Sequence, residues 1–531
     1  MKIYYLYDGE EHRRLNSEGL DYTAAYIPQL AKYMGISANP ISKGELGGLC
    51  RDDILIAVAQ KLDTPPDCYT VYFDSAKDAP RRTKEVFAHV ILGEERLPVF
   101  VPFVKPRTQG KIIAYAVDCD GIEIPAIVKG ERSLEFCFDL AATVWFSEDG
   151  LLPEKLPGYF YTGRTPDTRP LDGLGQSAYN DILVGVLEEF LIEAGAAAIW
   201  RLPPTDSGTS PDAVMHISGD DDCSSRDFNL SAAKTMFDLG LPYHINAMPN
   251  SSRDAFVYDK RDYEKLLSYG CEVALHMNFI GVSYSLESLK TQVDLFTKLH
   301  GTHPHTNTNH CFIQNGSTAE RLRWFEACGI VADNGKCGHF NPENINAFDL
   351  YGHTFGTAFP RFSLDDAEHS NAQLSTMEIP VTYYEPRIYK ATDSTEKVVR
   401  YVDDMVRYGR FGQFFIHPHY LREGSPEREG ALRAISTLRT RAKERGYNIS
   451  YSTTNKIADF WLARANASVC CDGASISVKC DTPLLVRLPK SFCGKALTLD
   501  GADAICQEKY ASGEKIYLVF VPAGAHKVAL A

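Results

Sequence analysis

No stretch of this 531-residue chain is apolar for the length of a membrane-spanning helix. Excess positive charge is missing too. Lys and Arg total 55 against 69 Asp and Glu, for a net charge of −14, which argues against nucleic acid or an anionic membrane as the main partner. The 14 cysteines include no Cys-x-x-Cys pair, so neither a zinc ribbon nor a disulfide framework is indicated. The opening residues, Met1-Lys-Ile-Tyr-Tyr-Leu-Tyr-Asp-Gly9, lack the apolar core and cleavage site of a secretory leader and read as a first strand and turn. The expectation is a cytoplasmic protein with reduced thiols. A phosphate loop, a dinucleotide fingerprint and a Gly-x-Ser-x-Gly nucleophile elbow are absent, as are internal repeats and low-complexity segments. What is present is an ordinary globular composition, 44% hydrophobic and 23% charged, with length for two to four domains.

The expected fold class is α/β, with a central distorted (β/α)7-type barrel between an amino-terminal α/β or β-rich domain and a small carboxy-terminal β-sandwich. Residues 1–150 open as strand (Lys2–Leu6), helix (Tyr22–Met34) and strand (Asp53–Ala57). Strand candidates follow at Leu97–Val104, Gly110–Val117 and Ser133–Leu140. Pro153, Pro157, Pro166 and Pro170 mark a linker, and Ala178–Ala194 reads as a long amphipathic helix, so 151–210 leads into the barrel. From 211 to 466 strands alternate with helices, which implies a parallel sheet or barrel. The strands are Ala213–Ser218, Tyr243–Ala247, Glu272–Leu275, Gly329–Ala332, Met377–Pro380, Gln413–Ile416 and Ile449–Tyr451. Residues 467–531 carry short strands such as Ser475–Lys479, Leu484–Leu488 and Ile516–Phe520.

Chemistry gathers where these strands end. The first strand drives an apolar run into Asp220, Asp221 and Asp222. Three adjacent acids repel one another unless a cation or donors meet them, so a metal, or a base beside one, is the functional reading. A solvated Asp-rich turn capping the next helix is the plain alternative. Glu272-Val-Ala-Leu-His276-Met-Asn278 ends a strand on histidine, Asn307-Thr-Asn309-His310-Cys311 precedes a helix, and Phe414-Phe-Ile-His417-Pro-His419 closes a late strand. Recurrence at one end of successive strands is what a barrel-mouth active site produces. A carboxylate with two imidazoles leaves open positions on a zinc-like ion, as in a hydrolytic site.

These residues resemble the polysaccharide deacetylase (NodB-homology) family, whose members carry a distorted (β/α) barrel. Ser218-Gly219-Asp220-Asp221-Asp222 is similar to the family's Thr-Phe-Asp-Asp-Gly, which makes Asp220 the general base and Asp221 a metal ligand. Glu272–His276 is similar to the strand before its His-Ser/Thr-x-x-His, with Ile280 where the second histidine would stand. The family's Arg-x-Pro-x-Gly is not recognisable. In its place stands Thr308-Asn309-His310-Cys311, similar to a divergent branch. Phe415-Ile416-His417 is similar to the last motif and makes His417 the general acid.

The resemblance, which spans roughly 211 to 465, implies a metal-dependent hydrolase that takes an acyl group, N-acetyl first, from a carbohydrate. It needs a divalent metal, zinc by preference, held by Asp221, His276 and a third ligand. His310 is chosen for that place, ahead of His303 and His305. Asp222, Asn278, Asn309, His353, Glu378 and His419 are supporting or substrate-binding candidates. Cys223, Cys271, Cys311 and Cys337 lie near the site in sequence and read as small buried residues ahead of ligands. The expected partner is an acetylated sugar, with no nucleic acid and no membrane, and a homo-oligomer is left open. Two rivals remain: a carbohydrate-binding barrel without catalysis, and a glycoside hydrolase whose second carboxylate would be Asp333, Glu378 or Glu385.

Overall fold

The computed structural model describes residues 1–19, 22–58, 62, 66–74, 88–99, 103–117, 121–149, 161–162, 177–222, 224–249, 259–314, 318–335, 350–353, 356–386 and 395–531. The four linker prolines, Cys223 and Cys337 fall outside them. Among the described residues no helix is long and apolar enough to cross a membrane, and every cysteine is free.

The amino-terminal part is built on a nine-stranded mixed sheet. Strands Asn39–Ile41, Ile3–Leu6, Ile54–Val58, Tyr69–Phe73 and Ser133–Phe136 lie parallel in that order. Four antiparallel strands, Glu123–Lys129, Lys111–Val117, Ala88–Leu92 and Glu95–Val99, extend it. Helix Tyr179–Glu193 buries Leu183, Leu187 and Leu191 in the same apolar cluster as Ile54, Val71 and Phe136. That helix, expected as a lead into the barrel, is therefore part of the amino-terminal core.

Two fully buried acids, Asp74 and Glu135, meet beneath this sheet. Glu135 accepts from the backbone N–H groups of Arg107 and Thr108 at 2.8 and 2.5 Å. Burial, then the Glu135 carboxylate, pushes Asp74 up to about 8. The folded state thus holds a proton that the unfolded chain releases near its ordinary carboxyl value, so stability falls as pH rises from about 4 to about 8. Asp74→Asn should remove that slope. Thermal midpoints that stay parallel to the parent's across this window would refute the shared proton.

A run of seven neighbouring parallel strands forms the centre of the middle sheet: β1 (Ala213–Asp220), β2 (His244–Ala247), β3 (Glu272–Met277), β4 (Thr306–Asn309), β5 (Ala332–Asp333), β6 (Gln373–Glu378) and β7 (Phe411–Phe415). Their order is β7-β1-β2-β3-β4-β5-β6. Helices between them pack one apolar stripe on the sheet. In Leu286–His300, Leu289, Val293 and Phe296 recur at helical spacing, Ser285 caps the start at 3.2 Å, and Gly301 in the left-handed region ends it.

The central sheet curls as a half-barrel, and among the described residues no strand pairs β6 with β7 to close it. Antiparallel strand Arg361–Leu364 takes the outer edge of β6. On the other side Tyr383–Tyr384 flanks β7 and is itself paired antiparallel to Leu350–Tyr351. These edge strands occupy the hydrogen bonds that closure would need. Ile449–Ser452, expected as the seventh ring strand, instead pairs with the first half of β1. The carboxy-terminal residues form two antiparallel sheets, one of them completed by Ala198–Ile199. Both sheets contribute to one apolar cluster that includes Ile476, Val478, Val486 and Leu518.

Candidate metal centre

β1 is buried along its whole length and delivers the three acids to the mouth of the curl. Gly219 is required there: a Cβ would stand 2.0 Å from the Ile416 carbonyl oxygen. Its absence lets Ile416 N–H reach the Ser218 carbonyl at 2.6 Å, and the Tyr243 hydroxyl donates to the Ile416 carbonyl at 2.6 Å. This junction fixes His417 beside the acids.

The three acids point differently. Asp220 accepts from Asn246 Nδ2 at 2.8 Å. Both oxygens of Asp221 accept from the Met248 N–H at 3.1 Å. Asp222 faces three imidazoles: His417 Nε2 lies 3.2 Å from its carboxylate, and His276 Nε2 and His310 Nε2 each lie 3.6 Å away. Each ring has an acceptor behind it. His276 Nδ1 meets the Thr308 carbonyl at 2.8 Å, His310 Nδ1 meets Asn278 Oδ1 at 3.1 Å, and His417 Nδ1 meets Glu385 Oε1 at 2.6 Å. With Nδ1 so occupied, every Nε2 is turned toward Asp222.

Burial alone would raise Asp222, but the surrounding imidazoles, His417 foremost, hold it well below the carboxylate range. Burial would likewise lower the histidines. The acids outweigh it, lifting His310 to about 10 and His417 well above its ordinary value. Burial raises Asp220, and raises Asp221 to about 7.

Two donor sets have the spacing of a metal site: Asp222, His276 and His310, and Asp220, Asp222 and His417. His276 Nε2 is buried without a hydrogen bond among the described residues, which is what a ligand atom facing a cation position looks like. The side chains of Asp222, His310 and His417 are 18%, 16% and 11% exposed, so the cluster opens outward on one side. Oxygen and imidazole nitrogen donors with an open side suit zinc.

Several expected residues lie elsewhere. Asp221, read as a ligand, is in neither set, because its oxygens are committed to Met248. Asn309 braces the turn after His310 by donating to the Ile313 carbonyl at 2.7 Å. In that turn Cys311 and Phe312 have φ of 55° and 52°, a strained left-handed pair. His353 is buried with Arg410 as its charged neighbour. Glu378 is held by Arg321 and Arg361, and Asp333 by Arg321. His419 packs edge-on against Phe228 and Tyr420. His305 pairs with Asp459 at 2.8 Å and His303 with the Pro304 carbonyl, so neither runner-up joins the cluster. Burial pushes the Cys271 thiol up to about 12, which makes it inert.

Sequence reasoning missed Glu385 as the partner of His417, and missed Asn246 behind Asp220. Both contacts join distant parts of the chain, and no local pattern announces them.

No family profile matches the chain, and no curated protein does. Solved structures to which it is distantly similar include polysaccharide deacetylases and related proteins of the CE4 family. One is a polysaccharide deacetylase from Mycobacterium smegmatis, 12% identical over 50% of this chain and 96% of that one, with a TM-score of 0.34. Another is the Xyl-CE4 domain of a multidomain xylanase from the hindgut metagenome of Trinervitermes trinervoides, 9% identical over 47% and 90%, at 0.27. A third is a CE4 family pseudoenzyme from Bacillus anthracis, 8% identical over 46% and 66%, at 0.26.

Proposed function

We propose that the chain is a metal-dependent hydrolase that removes an acyl group, N-acetyl first, from a carbohydrate. The observation that carries this is the convergence at one mouth of a buried carboxylate, a three-donor metal set and a carboxylate-backed histidine. A divalent cation, zinc first, held by Asp222, His276 and His310 would acidify a water and polarise an acyl oxygen. Asp220, raised by burial toward the working pH, takes the proton of the attacking water. His417 donates from Nε2 to the departing nitrogen or oxygen, and Glu385 holds the ring in that tautomer. Tyr384, half-buried, meets His417 edge-on and suits the acyl methyl or a sugar face. All three acids of the glycosidase reading are committed elsewhere, since Asp333 and Glu378 are bound to arginines and Glu385 stands behind His417.

Zinc-reconstituted protein should release acetate from N-acetylglucosamine oligomers or acetylated xylan. Asp220→Asn and His417→Ala should each lower kcat by about 10²–10⁴-fold with bound zinc retained. Full activity in either variant would remove that residue's role. Zinc binding with no acetate from any acetylated sugar would leave the carbohydrate-binding reading in front.

A further inference from the structure

The amino-terminal sheet has one face that its place in the fold does not explain. Strands Tyr69–Phe73 and Ser133–Phe136 lie parallel near the middle of the nine. Parallel strands inside a sheet are ordinarily apolar on both faces. Here the register sets Thr70 beside Ser133 and Tyr72 beside Glu135, so one face of the pair is wholly polar. The other face carries Val71, Phe73, Leu134 and Phe136, all in the apolar core. Thr70 is 2% exposed and Glu135 0%, so polar groups have been taken out of water there at a cost.

Over that face lies a pocket of about 540 Å³, within the range of small-molecule sites. Residues 107–109 border it, and Glu135 holds them down by accepting from the Arg107 and Thr108 N–H groups. Arg132 borders it as well. Its guanidinium lies over the Tyr69 ring, 4.0 Å from the centroid, and donates from Nη2 to the Arg51 carbonyl. Two neighbours thus fix its plane. Its Nε is buried without a hydrogen bond among the described residues, and no carboxylate among them pairs with it. Arg107 lies 3.7 Å from Asp74 with half of its side chain exposed. In a chain with a net charge of −14, two guanidiniums at one pocket are a local exception.

We propose that this pocket binds a sugar carrying an anionic group, a phosphate or a carboxylate. Arg132 and Arg107 take the anion, because a guanidinium offers parallel N–H donors to its oxygens. The fixed plane of Arg132 means that little freedom is lost on binding. Asp67 and Gln109, also at the rim, accept from hydroxyl groups, which is why the ligand is a polyol and not a bare anion. Every residue named belongs to the amino-terminal sheet or its loops, so the inference does not rest on the hydrolase reading.

Calorimetric titration of the full-length protein with glucose 6-phosphate, glucuronate and glucose tests this. At least one of the two anions should bind saturably, and their relative affinities separate phosphate from carboxylate. Glucose should bind at least about tenfold more weakly, because it lacks the partner of a charged hydrogen bond. Arg132→Met and Arg107→Met should each weaken anion binding about tenfold or more. The second variant keeps the test open if the first one melts early, since Arg107 is half exposed. No heat from either anion overturns the proposal, and so does glucose binding with equal strength. Anion binding that survives both substitutions unchanged overturns it too, because the anion then sits elsewhere.

Discussion

Asp222→Ala should abolish divalent-cation binding, whereas Asp221→Ala should not. Asp222 is the acid common to both donor sets, and its carboxylate lies 3.2–3.6 Å from three imidazole nitrogens. Its loss leaves His276 and His310 without an anionic partner, and affinity should fall by at least about 100-fold, beyond what losing an outer hydrogen bond costs. Asp221 sits one residue away in sequence, but its oxygens serve the Met248 N–H. Removing that acceptor strands a buried donor at about 1–3 kcal/mol, so the variant should melt earlier and still bind zinc. Calorimetric titration with zinc, beside elemental analysis, reads both outcomes. Metal lost with Asp221→Ala and kept with Asp222→Ala would return the ligand role to Asp221, as the motif resemblance assigned it.

The second large effect is on stability. Arg321, 1% exposed, donates to Asp333 at 2.5 Å and pairs with Glu378, which Arg361 also holds. Arg321→Leu leaves two buried carboxylates with one guanidinium between them, and should cost about 3–5 kcal/mol. Arg433 is the control. It pairs with Glu429, and both side chains are more than half exposed, so Arg433→Ala should cost less than about 1 kcal/mol. Denaturant midpoints compare the two. Equal losses would mean that the buried network stabilises no more than a surface pair.

The apolar strands were legible: β1, β2, β3 and β7 read as hydrophobic runs and form close to where those runs lie. β4 was not read as a strand, because Thr306-Asn-Thr-Asn309 is wholly polar, yet all four residues are buried. Tertiary hydrogen bonds decide it. Asn307 donates to Asp333 at 3.1 Å and to Asn309 at 2.9 Å, and Thr306 donates to Asn455 at 2.6 Å. Closure was not legible either, since it depends on which strand takes each edge. In the site, acids and histidines at strand ends were visible as local pattern. The choice among the acids was visible too, had strand alternation been carried past the end of β1. Asp220 and Asp222 are two apart and both turn toward the histidines, while Asp221 between them turns away. The place of Glu385 behind His417, and of Asn246 behind Asp220, enters only through contacts between elements.

The acceptors behind the three histidines differ in kind. A backbone carbonyl, a side-chain amide and a carboxylate stand behind His276, His310 and His417 respectively. The carbonyl and the amide are neutral and the carboxylate is an anion, so His417 alone has a charge behind its ring. A neutral acceptor leaves His276 and His310 able to offer a lone pair, while the carboxylate makes His417 keep its second proton until a leaving group takes it. One side-chain type is thereby divided into ligand and proton donor by a single atom behind each ring. Exchanging those atoms, as in Glu385→Gln, should turn His417 from a proton donor into a competitor for the ion.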